Sequence, residues 1–149
     1  MLSSPPVPPI NVEKSYRRLL NHLPGMAYRC RVLNIDAPES DYLQYELEFV
    51  SRGSYELLGV PAEDMVLDHH NTIELMTHPD DLGPSRKAIR DSIVAHEPYQ
   101  VMYRLLLPSG RVKWLWDQGE GVYDDSGVLR YLEGLIMDVS EQKFQEMAL

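Results

Sequence analysis

The chain has 149 residues, enough for one domain with a hydrophobic core but too few for two of ordinary size. Its formal net charge of −9 argues against binding to nucleic acid or to an anionic membrane surface, because both interactions depend on clustered Lys and Arg. No run approaches the ~20 apolar residues that span a bilayer, and the single cysteine, Cys30, excludes an internal disulfide and a Cys-rich zinc site.

The N-terminal part is predicted to be a tail followed by a helix. Residues 1–11 contain four prolines, a composition typical of a disordered tail or linker. Residues 12–23 carry apolar side chains at three- and four-residue spacing, which predicts an N-terminal flanking amphipathic helix. Asn11 is the expected N-cap, and Pro24-Gly25 is the expected stop.

Two strands and several helices are predicted in the next stretch. Residues 26–33 alternate in polarity, and residues 45–50 read as their partner strand. Ser51 is expected to cap a short helix that Gly59 ends, and further short helical turns follow. A longer helix is predicted over residues 82–95.

The motif H-P-D-D at 78–81 supplies the start of that longer helix, because acidic side chains favour the positive end of a helix dipole. Pro84 lies inside the predicted helix. It is tolerable there only if it belongs to the first turn.

The region from Tyr99 to Ser140 contains three runs rich in Val, Leu, Tyr and Trp. Pro108-Ser109-Gly110 and a second turn at 124–127 separate them, which predicts a three-stranded antiparallel meander. The order of two strands, short helices, one longer helix and three strands indicates an α+β domain. Its helices should lie on one face of a five-stranded antiparallel sheet.

Five sequence pieces occur in an order and spacing that resemble one family. They are L-P-G-M-A-Y at 23–28, S-R-G-S-Y-E-L-L-G at 51–59, H-P-D-D at 78–81, Y-R-L-L-L-P-S-G-R-V-K-W at 103–114 and G-L-I-M-D-V-S-E-Q-K at 134–143. The last is a version of the D-I-T-E-R-K ending, the PAC motif. Residues 19–143 thus resemble the PAS sensory-domain family, in the branch common in bacterial sensor histidine kinases and diguanylate cyclases.

The resemblance implies a PAS fold with strand order 2-1-5-4-3, a helix-walled pocket and a signalling role without catalysis. The PAS domain would span residues 24–140, and residues 141–149 would begin a C-terminal signalling helix that continues into an effector domain. Asp138 and Ser140 would relay the signal, with Ser140 as the expected N-cap of that helix. A cytoplasmic location is expected.

The period of two along the last three strands divides their side chains between two faces. By register with flavin-binding relatives, one set faces the helices and forms a candidate ligand pocket: Tyr103, Leu105, Leu115, Asp117 and Ile136. An inward carboxylate must be paired, hydrated or bound. Asp117 therefore either bonds to a helix amide or a basic side chain, or orients a small polar ligand.

The opposite set forms an apolar patch too large for a solvated surface, consisting of Trp114, Trp116, Leu135 and Met137. The helix at 12–23 is the expected cover, through Tyr16 and Leu20. Either the patch is packed entirely by its own domain, or a second subunit shares the cover. We expect the second arrangement, a homodimer.

No cofactor is expected. Haem would need an axial histidine on the long helix, and that helix has none before His96. Covalent flavin chemistry needs a cysteine on a helix, whereas Cys30 lies on the first predicted strand, and Leu105, Leu115 and Ile136 occupy the polar positions of a flavin pocket. A metal site of His69, His70 and His78 is conceivable but is not expected.

The sequence also contains no nucleophile–His–acid set and no phosphate-binding loop, so no enzymatic activity is expected. The favoured interpretation is a sensory module that responds to a small ligand or partner. The alternative is a ligand-free dimerisation or protein-interaction module whose pocket is filled by its own side chains.

Overall fold

The computed structural model describes residues 11–34, 43–67 and 72–148. The predicted tail, apart from Asn11, lies outside these residues, as do His69 and His70. Within the described part, no helix is long and apolar enough to cross a membrane.

Five strands form one antiparallel sheet in the order β2-β1-β5-β4-β3. They are β1 (Met26–Val32), β2 (Tyr45–Val50), β3 (Tyr99–Leu106), β4 (Val112–Tyr123) and β5 (Leu129–Asp138). This topology confirms the predicted α+β fold and its strand order. The first and last strands in the chain are neighbours, so residues far apart in sequence meet at the centre of the sheet.

Helices fill the connection between β2 and β3 and flank the domain at both ends. They are α1 (Val12–Asn21), α2 (Gly53–Leu58), α3 (Ala62–Leu67), α4 (Thr72–Met76), α5 (Pro79–Val94) and α6 (Ser140–Met147). Helix α5 packs on β3, α3 on β2 and α2 on β1. The hydrophobic core lies between these helices and the inner face of the sheet.

Ser51 does not cap α2 as the sequence predicts. Its fully buried hydroxyl accepts a hydrogen bond from the Ala27 amide of β1 at 2.9 Å, and the N-cap position is taken by Arg52 without a side-chain bond. The Ser51 amide in turn donates to the Ala27 carbonyl. Ser51 therefore extends the pairing between β1 and β2 instead of starting the helix.

Helix α5 begins at Pro79, three residues before the predicted start. His78 is the N-cap, and its Nδ1 accepts from the Asp80 amide at 3.0 Å. Pro84 consequently lies beyond the first turn, so the prediction that it must belong to that turn is wrong. The helix tolerates it because the Asp80 carbonyl, which loses an amide partner, belongs to an exposed residue that water can solvate.

Candidate functional site

A cavity of about 50 Å³ lies between the inner face of the sheet and helices α4 and α5. Side chains from all five strands contribute to its wall. The helices contribute apolar groups such as Ile89 and one ion pair. The mixture of an apolar wall with a few converging polar groups is typical of small-molecule sites.

Asp117 of β4 is the centre of a buried hydrogen-bonded cluster at this cavity. Only 7% of its surface is exposed. Its Oδ1 accepts from the Tyr28 hydroxyl at 2.7 Å, and its Oδ2 accepts from the Tyr103 hydroxyl at 3.1 Å. The Tyr28 and Tyr99 hydroxyls are 2.5 Å apart. Side chains from β1, β3 and β4 thus converge on one carboxylate.

Burial dominates the electrostatics of this cluster. It raises the pKa of Asp117 to about 6, against the hydrogen bonds from Tyr28 and Tyr103, which lower the pKa. Burial, followed by the charge of Asp117, raises the pKa of Tyr28, Tyr99 and Tyr103 well above the ordinary value. Near pH 7 the tyrosines are therefore protonated donors, and the carboxyl group is mostly ionised.

Two glycines make room for the tyrosine hydroxyls. Gly119 and Gly134 are opposite each other on β4 and β5. A Cβ atom on Gly119 would lie 2.4 Å from the Tyr99 hydroxyl, and one on Gly134 would lie 2.4 Å from the Tyr28 hydroxyl. Any larger residue would displace the rings that hold Asp117.

An ion pair forms part of the helical wall of the cavity. Arg86 of α5 donates from Nε to Oε1 of Glu74 at 3.1 Å and from Nη2 to Oε2 at 2.7 Å. This two-pronged geometry is the strongest form of such a pair. It joins α4 to α5 and neutralises both charges beside the cavity.

The predicted pocket residues are distributed between the cavity and the core. Tyr103, Asp117 and Ile136 line the cavity. Leu105 and Leu115 are fully buried but do not line it. Sequence reasoning did not include Tyr28 and Tyr99 in the site.

Strand alternation carried a signal for both missed residues. Tyr28 is next to the outward Arg29, and Tyr99 shares the parity of Tyr103 along β3. The partners expected for Asp117 were a helix amide or a basic side chain. That expectation is wrong, since its hydrogen-bond donors are tyrosine hydroxyls of neighbouring strands.

The predicted relay residues tie α6 to the sheet. Ser140 is the first residue of α6 instead of its N-cap, which is Val139. The Ser140 hydroxyl accepts from the Trp114 amide of β4 at 2.8 Å, while Asp138 Oδ1 accepts from the Ser140 amide at 2.9 Å. Ser140 does not cap because its oxygen is bonded to the neighbouring strand.

The predicted dimer face is divided into two regions on the outer side of the sheet. Tyr16 and Leu20 of α1 line a groove against the sheet together with Leu135, but Trp114, Trp116 and Met137 are not part of its lining. These four sheet residues are half-buried. Of these four sheet residues, Leu135 is the one that shares this groove with α1.

Trp114 lies instead beneath two cationic side chains. Arg104 of β3 and Lys143 of α6 are 5.4 Å and 5.1 Å from its ring centroid. Such cation–π contacts help to cover an aromatic face that would otherwise meet water. The first turns of α6 thus supply part of the cover that the sequence assigned to α1.

Cys30 lies on β1 and lines the cavity. Burial raises the pKa of its thiol, so it stays protonated and is a weak nucleophile. The described residues include no group of three or more His, Cys, Asp or Glu side chains arranged to hold a metal ion.

The sheet topology, the helical wall and the cavity between them together define an α+β domain of the PAS class. The family described as the PAS fold matches residues 47–136 of the chain, which therefore belongs to that family. A search of curated protein sequences found no match.

Several solved structures share the fold. The N-terminal domain of a diguanylate cyclase with PAS/PAC sensor from Marinobacter aquaeolei is 19% identical, with a TM-score of 0.62 and coverage of 80% of this chain and 98% of that one. A sensory box histidine kinase/response regulator from Burkholderia thailandensis is 20% identical, with a TM-score of 0.59 and coverage of 93% and 92%. A PAS domain from Colwellia psychrerythraea is 13% identical, with a TM-score of 0.66 and coverage of 88% and 99%.

Proposed function

We propose that this chain is a non-catalytic sensory and signal-transduction module of a multidomain bacterial signalling protein. A small ligand or partner biases one of two conformations, and a homodimer and the C-terminal helix relay the change to an effector domain in the same polypeptide. In this proposal residues 1–11 are a linker, 12–23 a flanking helix, 24–140 the sensory domain and 141–149 the start of the signalling helix. The module acts in the cytoplasm.

The observation that carries the proposal is that β4 both lines the cavity and anchors the start of α6. Asp117 at the cavity is three residues from Trp114 along β4. The Trp114 amide donates to Ser140, and its carbonyl accepts from Val139 at 2.9 Å. A displacement of Asp117 along β4 would change the anchoring of α6, which supports a relay from cavity to helix.

The relay can be tested by filling the cavity from the side opposite the sheet. Ile89→Phe in α5 adds volume to the cavity wall, and over-packing of this kind costs ~1–3 kcal/mol. We expect the amide hydrogen exchange of the first turn of α6 to change at least threefold, although Ile89 belongs to a different helix.

Met65→Ala in α3 is the control for general destabilisation, since Met65 is fully buried but does not line the cavity. Similar exchange in α6 for both variants and for the unaltered chain would contradict the relay.

The small cavity favours a second candidate, the ligand-free dimerisation or protein-interaction module. A volume of about 50 Å³ is well below the ~300–1,000 Å³ of ordinary small-molecule sites. Mass spectrometry of the denatured chain distinguishes the two functions. A stoichiometric copurified molecule would support the sensor, whereas its absence together with unchanged α6 exchange in Ile89→Phe would favour the interaction module.

A further inference from the structure

Every hydroxyl hydrogen of the Asp117 cluster is already donated in a hydrogen bond within the cluster. An ionised carboxylate has only acceptors, and each tyrosine has one hydrogen to donate. Tyr28 and Tyr103 give theirs to Asp117. Since the Tyr28 hydrogen is used, Tyr99 must donate in the bond between their two hydroxyls. What the four side chains can still offer to a ligand is oxygen lone pairs.

The charge of the cavity wall is negative. Glu74 and Arg86 neutralise each other in their two-pronged pair. Asp117 is bonded to neutral tyrosines and has no cationic partner among the described residues that line the cavity. A desolvated carboxylate without a counter-charge is costly, and a cation placed in the cavity would relieve that cost.

Size and polarity limit the cation further. The cavity has a volume of about 50 Å³, and one water molecule needs ~10–15 Å³ of such space, so only a few non-hydrogen atoms fit. Ile89, Leu132 and Ile136 form an apolar wall away from the carboxylate. The space therefore suits one hydrogen-bond-donating cationic group that carries a very short apolar substituent.

We infer that the ligand of this cavity is a small primary ammonium cation of about the size of methylammonium. Its N–H groups donate to Asp117 and to the free lone pairs of Tyr99 and Tyr103, and its methyl group contacts the apolar wall. This inference rests on the proposed sensory function and names the chemical class of its ligand.

The test is thermal unfolding of the 149-residue chain at pH 7.5 with 50 mM methylammonium chloride. A ligand that binds only the folded state raises the unfolding midpoint, and we expect a rise of at least about 2 °C over 50 mM potassium chloride. Acetate is an anion of similar size, and 50 mM sodium acetate should raise the unfolding midpoint no more than sodium chloride does. No rise with methylammonium, or an equal rise with potassium chloride or acetate, would overturn the inference.

Two further measurements locate the binding. Asp117→Asn keeps the shape but removes the charge, and it should weaken methylammonium binding at least tenfold. In the unaltered chain, whose cavity also holds Tyr28, Tyr99, Tyr103, Cys30 and the Glu74–Arg86 pair, binding should weaken as the pH falls below about 6 and Asp117 becomes protonated. Binding that is independent of pH between 5 and 8 would contradict the assignment, even if Asp117→Asn does not fold.

The inference and the proposed function can fail separately. Methylammonium that binds without changing hydrogen exchange in α6 would leave the ligand class intact and contradict the relay. An α6 helix that responds to Ile89→Phe in a chain that does not bind methylammonium would retain the sensory function and exclude this ligand class.

Discussion

Asp117 is a carboxyl group whose surroundings oppose its charge. It is bonded to two tyrosine hydroxyls, yet burial raises its pKa to about 6. The folded state therefore holds a proton on this group at pH values where the unfolded chain has released it. Between pH 4 and 6 the folded state binds more protons than the unfolded state, so stability falls as the pH rises through this window.

We predict that Asp117→Asn removes this pH dependence. Because burial raises this pKa from 3.8 to about 6, the unaltered chain should lose about 2 kcal/mol of stability relative to the variant between pH 4 and pH 7. Urea unfolding of both chains at several pH values measures the difference. Parallel stability profiles would show that Asp117 has an ordinary pKa in the folded chain.

At the scale of single elements, α6 is held at one end. Hydrogen bonds from Trp114 to Ser140 and from Ser140 to Asp138 fix its first residue. Farther along, Phe144 and Met147 are exposed by 48% and 68%. The attachment of α6 to the sheet therefore depends on a few polar contacts at its start. A conservative substitution can remove each of them.

We predict that Ser140→Ala loosens this attachment. The Trp114 amide loses its acceptor, at a cost of ~1 kcal/mol, which corresponds to about fivefold faster exchange of that amide. Hydrogen exchange detected by NMR resolves the effect residue by residue. Ser126→Ala in the exposed β4–β5 turn is the matched control and should leave Trp114 unchanged. Protection of Trp114 that survives Ser140→Ala would mean that the hydroxyl contributes nothing to the anchor.

For the whole molecule, the sequence predicted the strands, their order and the inward face, because alternation and the family resemblance both constrain them. It did not predict the cluster, since Tyr28 and Tyr99 are 71 residues apart and meet Asp117 only after β1, β3 and β4 assemble. The roles of Ser51 and Ser140 were misassigned for a similar reason. Each serine is in a favourable capping position locally, but a neighbouring strand presents an amide that binds its hydroxyl instead.

The homodimer remains a prediction, and α1 is the element on which it can be tested. Tyr16 is 63% exposed in the single chain, as expected for a side chain that a second subunit could cover. We predict that Tyr16→Ala weakens dimerisation at least tenfold while changing the stability of the monomer by ~0.5 kcal/mol or less. Sedimentation at several micromolar concentrations measures the dimer affinity.

Tyr55→Ala is the matched control for this experiment, because Tyr55 is 64% exposed on α2 and lies outside the predicted dimer face. Equal effects of the two substitutions, or an intact chain that stays monomeric, would contradict a dimer built on α1.

Gly119 lies against the hydroxyl of Tyr99, and Gly134 lies against that of Tyr28. This close approach limits how related sequences can diverge. A glycine and its tyrosine occupy one shared volume, so neither can change size alone without a clash or a void. Relatives that retain both tyrosines should retain both glycines, whereas a relative with alanine at the position of Gly119 should carry a shorter side chain at the position of Tyr99. The two pairs should therefore covary, and sequences in which they have changed together should have lost the buried carboxylate as well.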